Sequence, residues 1–268
     1  MTVRLVLSDV DGTLVTPDKT LAPSTVAAVA DLEAAGVAFA VTSSRPPRGL
    51  AGLVEPLDLR LPLGAFNGGM IVTPELAVEF EAAIDAPRVG PIVEALVDAG
   101  LSVWVYRGAR DWFVLDPAGP HVEREVHAVG FAPDVLDTFA DLRDDVIKVV
   151  GVSDDPERME RAERAVRARA GESVAATRSQ SYYLDVTDSR AHKGAVVRYL
   201  ADRLGIPVAE IATIGDGGND LDMFAVSGMS VAMGNASDEV KAGASVVTSS
   251  NDDDGFARAV ETILSKRH

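Results

Sequence analysis

The chain contains no cysteine. That absence excludes a disulfide-stapled scaffold, a thiolate zinc site and a catalytic thiol. No apolar run reaches the roughly 18 residues that a membrane-spanning helix needs. Aromatic residues make up only 5% of the chain. Positive charge is also scarce: 25 Lys and Arg stand against 41 Asp and Glu, for a net charge of −16. Such a surface repels phosphodiester backbones and anionic lipid, so neither nucleic acid nor a membrane is an expected partner. Only five of the basic residues are lysines, at positions 19, 148, 193, 241 and 266. The four histidines, His121, His127, His192 and His268, show no i, i+4 pairing, which argues against a histidine zinc site. No phosphate-cradling G-x-x-x-x-G-K-[ST] loop is present. Gly215-x-Gly217 lacks the third glycine of a dinucleotide fingerprint, because Asp220 occupies it. Asp9-x-Asp11-Gly12 starts like a calcium loop, but its glycine comes early and Thr20 stands where the bidentate Glu belongs. The residues Met1 to Leu5 run straight into a predicted strand without a basic region or cleavage site. The expected compartment is therefore the cytoplasm.

What is present points to a sizeable core. The chain has 268 residues, of which 47% are hydrophobic, enough for two domains or one large one. Short apolar runs alternate with amphipathic segments. Val3 to Leu7, Val37 to Val41 and Leu61 to Phe66 read as strands, and Pro23 to Ala35 reads as a helix closed by Gly36. A further helix is expected after the Pro46-Pro47 pair. Near-continuous apolar strands separated by helices imply a parallel sheet covered on both faces.

The pattern changes in the middle of the chain. Ile71 to Val72 with Ala77 to Phe80, and Leu101 to Tyr106 with Trp112 to Leu115, read as hairpins. Val89 to Ala99 and Pro156 to Ala170 read as helices, and Val146 to Val152, Val174 to Thr177 and Tyr182 to Val186 as strands. Both tryptophans and three of the four tyrosines lie here. The βα alternation resumes with a helix from His192 to Leu204 and a strand from Ile211 to Ile214, and ends with a helix from Asp252 to Leu264. The expected fold is therefore α/β: a Rossmann-like parallel core from residues 1–85 and 188–268, with an inserted α+β cap from 86–187. The run Asp252-Asp253-Asp254 reads as a negatively charged helix N-terminus.

Parallel sheets place ligands beyond the carboxyl ends of their strands. Four such ends carry unusual chemistry: Asp9-Val10-Asp11-Gly12-Thr13, Thr42-Ser43-Ser44-Arg45, Asn67-Gly68-Gly69 and Gly215-Asp216-Gly217-Gly218-Asn219-Asp220. Any one of them reads as an ordinary polar turn. Four on separate βα units do not. Asp9 is placed to attack an electrophile, as carboxylates do in forming aspartyl-phosphate. Asp11, two residues on, suits general acid/base work, and Gly12 allows an abrupt turn. Asp216 and Asp220 add hard oxygen ligands suited to Mg²⁺. Ser43 and Asn67 can donate hydrogen bonds to a phosphoryl group, and Lys193 supplies a compact positive charge.

Those residues resemble the haloacid dehalogenase-like phosphatase superfamily, and within it the Cof-type branch of sugar-phosphate phosphatases with a large α/β cap. The resemblance covers essentially the whole chain. His192-Lys193-Gly194, Met233-Gly234-Asn235-Ala236 and Thr248-Ser249-Ser250-Asn251-Asp252 match that branch in order and spacing as well. By this resemblance Asp9 is the nucleophile, Asp11 the acid/base, Ser43 the phosphoryl-binding hydroxyl and Lys193 the neutralising base. Gly12, Asn67, Gly68 and Asn219 join the phosphate site. Asp9, the Asp11 carbonyl and Asp216 hold Mg²⁺, with Asp220 supporting bound water. One departure is Ser44, where relatives carry Gly before the arginine. The implied substrate is a small phosphorylated metabolite, a sugar phosphate, handled by a monomer or homodimer.

Other readings share parts of this pattern. A phosphomutase uses the same aspartyl-phosphate step. A phospho-acceptor signalling module also surrounds an aspartate with acids, hydroxyls and a lysine, but is shorter and lacks a cap. A non-catalytic metabolite-binding protein would not need the complete set. In the cap, strand alternation assigns Trp104, Tyr106, Trp112 and Tyr183 to sheet packing, and Arg107, Arg110 and Arg178 to a solvated surface.

Overall fold

The computed structural model describes residues 2–266. Strand Leu5–Ser8 is an interior strand of a five-stranded sheet ordered Val246–Val247, Met229–Ala232, Ile211–Gly215, Leu5–Ser8, Ala38–Val41. All of its pairings are parallel. Leu5, Val6 and Leu7 are wholly buried, because helices cover both faces. Val6 packs in one cluster with Leu32 of helix Pro23–Ala34 and Phe256 of helix Gly255–Ser265. Leu5 and Leu7 pack in another with Val197 and Leu200 of helix Lys193–Leu204. Each such side chain contributes about 1.5–3 kcal/mol by leaving water. A bridge between Thr42 and Gly64 ties on a three-stranded antiparallel sheet, Leu63–Ala65, Met70–Val72 and Val78–Glu81.

The second unit is a six-stranded sheet ordered Val174–Gln180, Tyr183–Asp188, Val146–Val152, Ser102–Arg107, Asp111–Val114, Asp134–Val135. It is antiparallel except for the last pair. Alternation divides its side chains between two faces. Val103, Val105, Val149, Leu184 and Val186 pack with residues of helices Ala86–Asp98 and Pro156–Ala170. Trp104, Tyr106, Trp112 and Tyr183 form the opposite face as a chain of ring contacts, with centroids 5.1–5.7 Å apart. Core Phe66 joins this face at 5.5 Å from Tyr106, so aromatic packing docks the cap on the core. Their ring contacts follow the alternation, and Tyr183 also lines the cavity that contains Asp11.

Several boundaries shift for physical reasons. The strand expected from Leu61 begins at Leu63, just after Pro62, which has no N–H for a ladder. The helix expected from Val89 begins at Ala86, because Pro87 suits a first turn. The final helix begins at Gly255 rather than Asp252. Of the preceding aspartates, Asp254 accepts from Ser24 Oγ at 2.6 Å and Asp253 pairs with Arg258. Two elements lie outside the expectations: helix Val122–Val129 and the short strand Asp134–Val135. Among the described residues, no helix is long and apolar enough to cross a membrane.

Candidate active site

Asp9 follows the interior strand Leu5–Ser8 directly. Its backbone N–H continues the parallel ladder by donating to Ile214 O at 2.9 Å, so the sheet sets the position of its carboxylate. Lys193, the first residue of helix Lys193–Leu204, reaches back beneath it. Its Nζ donates to Asp9 Oδ1 and to Asp220 Oδ1, each at 2.5 Å. Lys193 is 1% exposed. Burial opposes its charge, but the two carboxylates outweigh that and push its pKa up. Asp9 is held well above the ordinary carboxylate range, chiefly by burial and also by Asp220 and Asp216; Lys193 offsets part of this.

The loop after strand Ile211–Gly215 supplies the other acids. Both oxygens of Asp220 are engaged: Oδ1 by Lys193, and Oδ2 by the N–H groups of Asp216 at 2.9 Å and Gly217 at 2.8 Å. Asp220 therefore anchors the loop and the lysine together. Asp216 accepts from Thr13 Oγ1 at 2.8 Å and from Asn235 Nδ2 at 3.2 Å. Burial, followed by the charge of Asp220, pushes Asp216 up to about 6. Oxygens of Asp9, Asp216 and Asp220 lie within 4.8 Å of one another. Gly12 makes this approach possible. Its φ is +83°, and a Cβ there would lie 2.3 Å from Asp216 Oδ2.

The loops after the neighbouring strands close the other side of the site. Ser43 is buried, and its Oγ accepts from the Arg45 N–H at 3.1 Å. Asn67 adopts φ 58°, with its N–H donating to Ser43 O at 2.8 Å. Its Oδ1 accepts from Asn219 Nδ2 at 2.9 Å, which joins two of the strand-end loops. Gly68 has φ +92°, and a Cβ there would meet His192 O at 2.7 Å. Asp9, Ser43, Asn67, Gly68, Lys193, Asp216, Asn219 and Asp220 are thus brought to one edge of the sheet.

Asp11 belongs to the same loop as Asp9 but makes different contacts. Arg45 grips both its oxygens, Nε to Oδ2 at 2.6 Å and an Nη to Oδ1 at 2.7 Å, and Lys19 adds a bond at 2.6 Å. Burial opposes ionisation, yet these cations win and lower Asp11 to about 2. Asp11 faces a cavity of about 80 Å³ between core and cap. From the core it is lined by Lys19 and Arg45, and from the cap by Arg124, Glu125, Lys148 and Tyr182.

Four residues make contacts here that the sequence alone does not give. Arg45 is separated from Asp11 by too many residues for any local pattern to pair them. Glu125 sits on the unexpected helix, where Tyr106 and Tyr183 donate to it at 3.2 and 3.4 Å and burial raises its pKa. Lys148 left a legible signal: a lysine inside an otherwise apolar strand. Asn235 links Gly12 O, Asp216 and the N–H of Asn251, and only the family resemblance of its Met-Gly-Asn-Ala segment marks it in the sequence. Arg107 pairs with Asp111 and Arg178 lies 3.6 Å from Glu163, so neither lines this cavity.

Comparison with known proteins gives this geometry a family. Residues 6–260 match the haloacid dehalogenase-like hydrolases. A putative phosphatase of Haemophilus influenzae is 31% identical over 97% of this chain and 98% of the relative. A 5-amino-6-(5-phospho-D-ribitylamino)uracil phosphatase of Bacillus subtilis is 25% identical, covering 99% of this chain and all of the relative, 100%. The crystal structure of a haloacid dehalogenase-like hydrolase from Bacteroides thetaiotaomicron superposes with a TM-score of 0.87 at 28% identity, covering 98% of this chain and 100% of that one. An acidic and amide-rich strand edge beneath an inserted cap, matched along almost the full chain, places this protein in the haloacid dehalogenase-like hydrolase family as a phosphatase.

Proposed function

We propose that this phosphatase hydrolyses small phosphorylated metabolites of the sugar-phosphate type, with Mg²⁺, through a phosphorylated Asp9. The observation that carries the reading is the Asp9 carboxylate at the end of strand Leu5–Ser8, held by buried Lys193 beside Asp216. In the first step an Asp9 oxygen attacks phosphorus and the bond to the leaving alcohol breaks. Asp11 gives that alcohol its proton. In the second step water attacks the phosphorus, Asp11 takes the water proton, and the Asp9–phosphorus bond breaks. Lys193, Ser43 and the Asn67 amide hold the phosphoryl oxygens, which is the main task in phosphoryl transfer. Clamped by Arg45 and Lys19, Asp11 is in its ionised form, the one that serves as base in the second step. Donation in the first step requires release from that clamp.

The residues present fit a divalent cation. Three carboxylates converge, and Asp216 is raised by burial and by its acidic neighbour Asp220, an arrangement that a hard cation relieves. Asp9, the Asp11 carbonyl and Asp216 would hold it, with Asp220 fixing the loop from behind. When bound, the cation screens the charge of Asp9 from the anionic substrate and steadies the phosphoryl oxygens.

The ribitylaminouracil phosphate in the name of the Bacillus relative carries its phosphate on a polyol chain, which is consistent with a hydroxyl-bearing leaving group. The test is phosphate release from a panel of phosphomonoesters with and without Mg²⁺. Release from sugar and polyol phosphates that depends on Mg²⁺ is expected. No release from any monoester by folded, Mg²⁺-loaded protein overturns the reading. Accumulation of an isomeric phosphate without net release would indicate a mutase instead.

A further inference from the structure

Asp185 and Lys148 face the core from adjacent cap strands. Both are almost completely buried, at 2% and 4% exposure. Alternation turns Leu184 and Val186 to the cap helices and Asp185 to the core. A bulge opposite Arg107 interrupts the register of strand Val146–Val152 beside Lys148. The Lys148 ammonium donates to Ser44 O at 3.0 Å, next to the phosphate-side Ser43. It lies 5.0 Å from the Tyr106 ring centroid and makes only a long contact, 3.4 Å, with Asp185 Oδ2. The second oxygen, Asp185 Oδ1, is buried and has no hydrogen-bond partner.

A buried carboxylate oxygen without a donor is costly, and such groups are retained where something else supplies the donor. The surroundings indicate what that is. Asp185 lines a cavity of about 90 Å³ together with Asn67, Lys193 and Asn219, the groups assigned to the phosphate. Lys148 lines the neighbouring cavity that contains Asp11. The pair thus stands between the phosphate groups and the acid/base, where the leaving alcohol must lie.

Resting on the phosphatase reading above, we propose that Asp185 and Lys148 form a subsite that reads a hydroxyl on the leaving group close to the phosphoester. A hydroxyl matches both partners: it donates to Asp185 Oδ1 and accepts from the ammonium. A substrate ammonium in that place would be repelled by Lys148. A second phosphate or carboxylate in contact with the Asp185 oxygen would face a carboxylate that offers it no donor. The chemical class selected is therefore a phosphorylated polyol or sugar whose leaving group is uncharged near the ester. The aromatic face of Phe66 and Tyr106 borders the lysine.

The test compares kcat/KM for a pentitol phosphate, its deoxy analogues and p-nitrophenyl phosphate, which has no hydroxyl. Wild type is expected to favour the pentitol phosphate over one particular deoxy analogue. Asp185→Ala is expected to lose on the order of 100-fold on the pentitol phosphate, mostly in KM, and to treat the two alike. On p-nitrophenyl phosphate it should stay within about 3-fold of wild type, the change expected where no hydroxyl is read. Asp185→Asn keeps an acceptor oxygen and is expected to retain the discrimination; a purely structural ion pair would be broken by both variants alike. Equal losses on all substrates, or wild-type discrimination in Asp185→Ala, overturn the subsite. Failure of wild type to hydrolyse even p-nitrophenyl phosphate overturns the phosphatase reading itself, a separate and recognisable result.

Discussion

Replacing Asp216 with Asn isolates the electrostatics of the proposed cation site. In the metal-free protein, burial and Asp220 push Asp216 up to about 6 from an ordinary 3.8. The folded state therefore binds this proton more tightly than the unfolded chain does. The stability it contributes is fully present below about pH 4 and is lost as pH rises towards about pH 6. A shift of about two units corresponds to about 3 kcal/mol. Asp216→Asn has no such ionisation and keeps an acceptor for Thr13 Oγ1. At pH 7 the metal-free variant should be more stable than metal-free wild type, by up to about 3 kcal/mol, with the gap closing as pH falls to about 4. Mg²⁺ should reverse the order, because a cation at a thousand times its dissociation constant stabilises wild type by about 4.1 kcal/mol. The assay is urea unfolding at both pH values, in chelator and in Mg²⁺. A metal-free variant less stable than wild type at pH 7, or one that Mg²⁺ stabilises as strongly as wild type, refutes the reasoning.

Other expectations follow from the same contacts. Gly12→Ala forces a Cβ to 2.3 Å from Asp216 Oδ2 at positive φ, so turnover and Mg²⁺ affinity should both fall, and thermal unfolding should show about 1–2 kcal/mol of lost stability. Lys193→Met leaves Asp9 and Asp220 buried without their cation and should cost about 3–5 kcal/mol in chemical denaturation, with phosphatase turnover abolished. Arg45→Gln removes the grip that lowers Asp11 to about 2. Because the depressed pKa stabilises the fold only above the ordinary carboxylate value, the deficit relative to wild type should be full at pH 7 and shrink as pH falls from about 4 to about 2, as unfolding at each pH will show.

Much of the core edge was legible because its chemistry is local. Asp9, Ser43, Asn67 and Asp216 each follow an apolar run, and a parallel sheet brings the ends of such runs together. The aromatic face of the cap was legible through period-two alternation at Trp104, Tyr106 and Trp112. What escaped is long-range or short-lived in the sequence. The Asp11–Arg45 grip joins two loops that become neighbours only when their strands pair. Helix Val122–Val129 is eight residues long and enters through His121 at positive φ, so it offers little periodicity and no side-chain cap. Glu125 disappeared from view with it. Lys148 is hidden by the apolar character of its strand, although a charge in a buried run is itself a signal.

The central claim is that Asp9 carries the phosphoryl group. The most direct measurement is mass spectrometry of acid-quenched Asp11→Asn protein after exposure to Mg²⁺ and p-nitrophenyl phosphate, whose leaving group departs without a proton from Asp11. Losing the base should slow hydrolysis and leave a hydroxylamine-labile phosphoryl adduct that maps to Asp9. An adduct on another residue, or normal turnover by Asp9→Asn, would contradict the account.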